Sequence, residues 1–208
     1  MASSDGGGVQ LHQYAGADLE AEVAGEPVRL AVRTGYPWDG RVTVEVTRAP
    51  ERPWTLSLRV PGWSRSATLS GPAGAGPRPA GPGVADLSRR WAAGDTVTLE
   101  LDLPVRVTEP DPRVDAVRGC VALERGPLVY CLESADLPPG AELEALRWDP
   151  GREPAAAPRP DLGEAVVGIT VPLLGAGADG PAALSAGAIP YFAWANRGAG
   201  AMRVWIPR

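Results

Sequence analysis

RGCVALERGPLVYCLE, residues 118–133, carries two short apolar runs parted by a Glu-Arg-Gly-Pro turn signal. The runs, 117–123 and 128–132, are nearly continuous rather than alternating, the pattern of strands covered on both faces. Both cysteines of the chain, Cys120 and Cys131, lie here, one on each side of the turn. A four-residue loop over 124–127 sets Leu123 opposite Leu128 and Cys120 opposite Cys131. Opposed β-carbons lie about 4.5–5.5 Å apart, slightly beyond the usual disulfide range, so a disulfide between them needs a modest adjustment. Free, buried thiols are the alternative, and the one that a chain without a secretion signal favours. A closed zinc site needs two further ligands, and the only histidine, His12, is far off in sequence.

Immediately upstream, Pro104, Pro110 and Pro112 surround a domain boundary. Before them the pattern changes to a period of two, as expected of half-buried strands. Leu19, Ala21 and Val23 share one face, and Val28, Leu30 and Val32 continue it after the turn at 24–27. Val42, Val44 and Val46 point inward from 41–47, as do Trp54, Leu56, Leu58 and Val60 from 54–60. Val97, Leu99, Leu101 and Leu103 repeat the pattern. Downstream, residues 138–163 are rich in Pro, Ala and acidic residues and read as looping out. Residues 166–174 and 202–206 read as strands, with 189–196 a strand or extended loop between them. Residues 71–83, GPAGAGPRPAGPG, read as an exposed, mobile loop. The expected fold is all-β, two consecutive antiparallel β-sandwich domains. Residues 1–8 are a disordered lead-in, 9–110 the first sandwich and 111–208 the second.

Composition narrows the function without naming it. With 44% apolar and 22% charged residues over 208 positions, the chain is globular and long enough for two cores. A net charge of −5 argues against a nucleic-acid partner. No run approaches the ~18 apolar residues of a membrane span. All twenty basic residues are arginine, but they are scattered and form no patch. The start, MASSDGGGVQ, has no secretion signal, which gives a cytoplasmic expectation.

Chemistry-bearing patterns are sparse. His12 stands without a carboxylate or nucleophile beside it, and no nucleophile elbow or phosphate-binding glycine loop occurs. Two carboxylates at a defined separation would suffice for a glycosidase, yet Glu45, Glu100 and Asp102 are phased to the solvent face. Among seven tryptophans, Trp54 is in phase with the core, and Trp63 and Trp91 flank turns. Trp38, in the turn Tyr36-Pro37-Trp38-Asp39-Gly40, has little core within reach. Tyr36, Trp38 and Asp39 are therefore candidates for contact with a neighbouring domain or a sugar, with an apolar patch and self-association expected around Trp38.

Three stretches carry a family resemblance: TGYPWDGRVTVEV (34–46) with LSLRVPGW (56–63), then residues 119–133, then IPYFAWANRGAGAMRVWIP (189–207). In order and spacing they resemble the C-terminal part of glycoside hydrolase family 127, the β-L-arabinofuranosidase-like enzymes. The resemblance implies two β-sandwiches that follow a catalytic helical (α/α)6 barrel, a barrel absent from these 208 residues. It implies a parent that hydrolyses terminal arabinofuranosides with retention, using a cysteine nucleophile held on zinc. No Cys-Cys pair and no Glu-x-Cys is found here, so no catalytic, cofactor-binding or metal-ligating residue is carried over, and zinc belongs to the barrel. Cys131 matches a cysteine of the sandwich, whereas Cys120 stands where relatives commonly have a basic residue. The expected role is to pack on the barrel, as a covalent domain or as a split-gene subunit, without activity alone. A freestanding carbohydrate-binding module with an aromatic platform is the alternative.

Overall fold

The computed structural model describes residues 1–72, 76–177 and 180–208. They divide into two compact units, Met1–Pro104 and Val105–Arg208.

The first unit is built from β1 (Ala2–Ser4), β2 (Gly8–Leu11), β3 (Ala17–Val23), β4 (Glu26–Thr34), β5 (Arg41–Arg48), β6 (Pro53–Val60), β7 (Ala67–Ser70), β8 (Arg78–Ala80), β9 (Gly83–Arg90) and β10 (Thr96–Leu101). Among the described residues they form two sheets, ordered β1-β2-β6-β9 and β3-β4-β5-β10-β7-β8. All pairs are antiparallel except β2, which runs parallel to β6. The alternation read from the sequence is the cause: Leu11, Leu56 and Leu58 of one sheet share a core with Leu30, Val44 and Leu99 of the other. Ala24 and Gly25, both at positive φ, turn β3 into β4 in the mirror-image geometry that suits strand twist. At Gly40 a Cβ would lie 1.9 Å from the Leu101 carbonyl oxygen, so only glycine lets the turn after Tyr36 approach β10.

Two expectations for this unit need correction. Residues 1–8 are not a disordered lead-in, because β1 pairs with β2 and the backbone N–H of His12 donates to the Met1 carbonyl at 2.8 Å. Within 71–83, Arg78–Ala80 pairs with β7, since strand pairing requires only backbone groups that a proline-rich stretch can partly supply. Residues 73–75 of that predicted loop lie outside the described residues.

The second unit contains β11 (Val105–Thr108), β12 (Cys120–Arg125), β13 (Leu128–Glu133), β14 (Arg147–Trp148), β15 (Ala155–Pro158), β16 (Val167–Gly177), β17 (Gly180–Pro190), β18 (Met202–Arg203) and β19 (Ile206–Pro207). The main path runs β11-β12-β13-β17-β16-β14 and forks at both ends. On one side β14 and β15 pair with different halves of β16. On the other, β12 and β13 splay apart, and the closing segment of the chain enters the fork, β18 against β13 and β19 against β12. The core includes Val121, Leu123, Tyr130, Leu132, Val171 and Leu173.

The unit boundary falls at Pro104/Val105, not at 110/111. Val105–Thr108 is hydrogen-bonded along β12, so the proline-rich break lies inside the second unit. The segment 138–163 does not simply loop out, since it supplies β14 and β15 to the edge of β16. The hairpin register also differs from expectation. Arg125 faces Leu128 and Leu123 faces Tyr130, which leaves a two-residue Gly126-Pro127 turn in place of four residues. Cys120 then lies beside Pro207 and Cys131 beside Ile189, on strands that have already parted. Both are free thiols.

Candidate functional site

The turn at Tyr36 is a packed structural feature. Tyr36 lies edge-on to Tyr14, with ring centroids 5.9 Å apart, and stacks on Trp63 at 6.4 Å. Burial raises the Tyr36 and Tyr14 phenols above their ordinary range, and the Tyr14 hydroxyl donates to the Arg59 carbonyl at 2.5 Å. Asp39 caps the turn by accepting from the Arg41 N–H at 2.9 Å. Trp38 is half-buried. Core lay within reach of this turn after all, in the form of Tyr14 and Trp63, which are far from it in sequence.

His12 Nε2 meets Ser3 Oγ at 2.8 Å, a pairing of nucleophile and base types that the sequence did not place together. Ser3 is exposed and His12 half-buried, and no carboxylate among the described residues is hydrogen-bonded to the ring. Glu45, Glu100 and Asp102 are exposed, with Glu100 held by Arg41 at 2.7 Å. Trp54 is core, packed on Trp91, whose indole N–H donates to the Trp54 carbonyl at 3.0 Å.

A different region gathers buried charge and exposed aromatic surface. On the face of β13 turned away from the main core, Cys131 packs with Ile189 and Ala193, flanked by Leu162, Met202 and Val204. Next on that face comes Glu133, which is only 5% exposed. A buried carboxylate must be paired, and Arg197 from the segment after β17 supplies the partner, donating through Nη2 to Glu133 Oε2. The other Glu133 oxygen accepts from the Ala195 backbone N–H at 2.9 Å. Ala195 has φ of 63°, a left-handed conformation uncommon for a residue with a Cβ. Arg197 also grips Asp136, at 2.5 and 2.8 Å.

Asp136 accepts in turn from Arg159 at 3.0 Å, and Arg159 holds Asp161 through two bonds of 2.8 and 2.9 Å. Arg159 lies across the strands at Gly168 and Gly187, where a Cβ would come within 2.6 Å of its Cγ and 3.1 Å of its Nη1. Burial alone would push the Asp136 carboxyl up, but hydrogen bonds from Arg197 and Arg159 outweigh it and hold it low. The Arg159 hydrogen bonds bring Asp161 down to about 2. Burial, reinforced by Glu133 and Asp136, pushes the Cys131 thiol up to about 11, so it is protonated and unreactive at neutral pH.

What this network holds in place is the 3-10 turn Tyr191–Ala193 and the residues after it. Tyr191 is 49% exposed and Trp194 42%, and their rings stack with centroids 6.4 Å apart and planes 18° apart. Phe192 is exposed as well. Among the described residues, this turn carries three of the exposed large hydrophobic side chains. None of Glu133, Asp136, Arg159, Asp161, Tyr191 or Trp194 was singled out from the sequence. The available signal was the density of aromatics in PYFAW, followed after Ala195 by Asn-Arg-Gly.

The residues present do not fit a zinc site. Among the described residues no three His, Cys, Asp or Glu side chains converge as ligands. Cys131 is a neutral thiol, and its carboxylate neighbours are engaged by arginines.

Comparison with known proteins gives these two units a family. Residues 8–103 match the β-L-arabinofuranosidase GH127 middle domain, and residues 105–207 match the glycoside hydrolase family 127 C-terminal domain. The chain belongs to glycoside hydrolase family 127. The two matches meet where the two compact units meet. A non-reducing end β-L-arabinofuranosidase of Bifidobacterium longum subsp. longum is 33% identical over 85% of this family 127 chain, which spans 30% of that protein. A solved GH127 β-L-arabinofuranosidase from Geobacillus stearothermophilus T6 superposes on 99% of the chain, with TM-score 0.86 and 34% identity. A solved GH127 β-arabinofuranosidase covers 96% of it with TM-score 0.84 and 26% identity. The chain spans about a third of the length of each of these relatives, 34% for both solved enzymes.

Proposed function

We propose that this chain is the non-catalytic β-sandwich part of a family 127 glycosidase, and that it supports a catalytic portion corresponding to the rest of its relatives' length. The observation that carries the reading is the pair of end-to-end matches to the family's middle and C-terminal domains, over only about a third of the relatives' length. The chemistry of the described residues agrees with it. Buried Glu133 and its neighbour Asp136 are held by arginines, and the buried thiol is protonated. The parent reaction under this reading is release of terminal β-L-arabinofuranosyl groups, with any zinc held by the catalytic portion.

The test is an assay of the purified 208-residue chain on p-nitrophenyl β-L-arabinofuranoside with zinc and reductant present. No turnover is the expected result. Turnover that persists in Cys120→Ala and Cys131→Ala would overturn the proposal, because activity would then reside in a site of another kind within these two domains.

A further inference from the structure

We infer that the aromatic turn centred on Tyr191 and Trp194 is the surface through which the C-terminal unit docks onto an apolar pocket of the enzyme's remaining two-thirds. This deepens the proposed function and rests on it. Together the two rings leave on the order of 200 Å² of aromatic surface in water, a substantial share of the largest patch on a typical monomer. Large aromatics on a short turn are left in water at a cost in free energy, unless another surface covers them.

The turn is held rigid. Ala193 anchors it from beneath with Ile189 and Cys131, while Glu133 fixes the left-handed Ala195 and Arg197 locks the following residues to Asp136. Such fixing removes the ordering cost that a docking surface would otherwise meet on association. The two rings lie near parallel, with planes 18° and centroids 6.4 Å apart. Chain length names the occupant, since relatives carry about twice as much protein again beyond these two domains.

Hydroxyl-radical footprinting tests this in the isolated 208-residue chain and in a fusion where the chain replaces the matched third of the Geobacillus stearothermophilus enzyme. Labelling of Tyr191 and Trp194 should fall roughly five-fold in the fusion, as for the desolvated centre of an interface. The double variant Y191S/W194S should leave the melting temperature of the isolated chain unchanged and lower that of the fusion. Equal labelling in the two forms of an active, cooperatively melting fusion overturns the inference and leaves the proposed function standing. A fusion whose catalytic portion melts independently of this chain overturns both. Protection of the isolated chain by arabino-oligosaccharides, or by raising its own concentration, overturns the docking assignment in favour of a sugar site or a second copy.

Discussion

Two aromatic turns, one in each unit, behave in opposite ways. Tyr36 begins a turn whose ring lies between Tyr14 and Trp63, while Tyr191 begins one whose ring stacks on Trp194 and stays 49% exposed. Both follow a strand, but only the first reads in sequence as an aromatic turn with little core nearby, the second as a strand or extended loop. The difference lies in what the fold brings underneath. In the first unit two aromatic side chains from distant segments fill the space below the turn. In the second the space is occupied by the small residues Ala193 and Cys131 with Ile189, and past them by a buried ion-pair network. A turn's own composition therefore does not decide whether it faces inward or outward.

The largest expected effect is on the network. Arg197→Leu leaves Glu133 buried without its charge partner and should cost about 3 kcal/mol, discounted for the partial exposure of Arg197. Urea unfolding of the second unit measures it, and a cost below about 0.5 kcal/mol would show that the turn needs no ionic clamp. Next, Tyr36→Ala should cost about 2 kcal/mol through the cavity left between Tyr14 and Trp63. Tyr191→Ala should change stability by less than about 0.5 kcal/mol, as an exposed surface residue. Equal losses from both substitutions would erase the contrast between the turns.

Acid should separate the units further. Asp136 and Asp161 have folded-state values below the ordinary 3.8, so their contribution is present above that value and is lost as pH falls through the lowered ones, to about 2 for Asp161. The second unit should therefore loosen between about pH 4 and pH 2, with a change in Trp194 fluorescence as the readout. An unchanged signal over that range would mean the clamp is not held by charge. The smallest effect concerns the thiols. A thiol reagent at mildly alkaline pH should modify Cys120 and leave Cys131 untouched until the chain is unfolded, because burial keeps Cys131 protonated. Native mass two protons lower, restored by reductant, would contradict the free-thiol structure.

The first unit was the more legible in sequence. Val42, Val44 and Val46 alternate with Thr43, Glu45 and Thr47, and that alternation alone sets which side of β5 is buried. In the second unit, 121–123 and 130–133 are buried on both faces, as their continuous apolar runs imply, but Glu133 was hidden among them. Strand β17, GPAALSAGAIP, was mostly missed, because its small residues lack the bulky alternation of a half-buried strand. It is nevertheless the main partner of β16, an assignment fixed by backbone hydrogen bonds that composition does not record.

Sequence by itself determined the all-β character, the two-domain division and the family, since periodicity is local and the family's stretches are contiguous in the chain. Tertiary structure alone decided the hairpin register, the separation of Cys120 from Cys131, and the assembly of Glu133, Asp136, Arg159 and Arg197. Those features depend on side chains up to 64 positions apart being paired in a site where an unpaired charge is costly, and no local pattern encodes such a pairing.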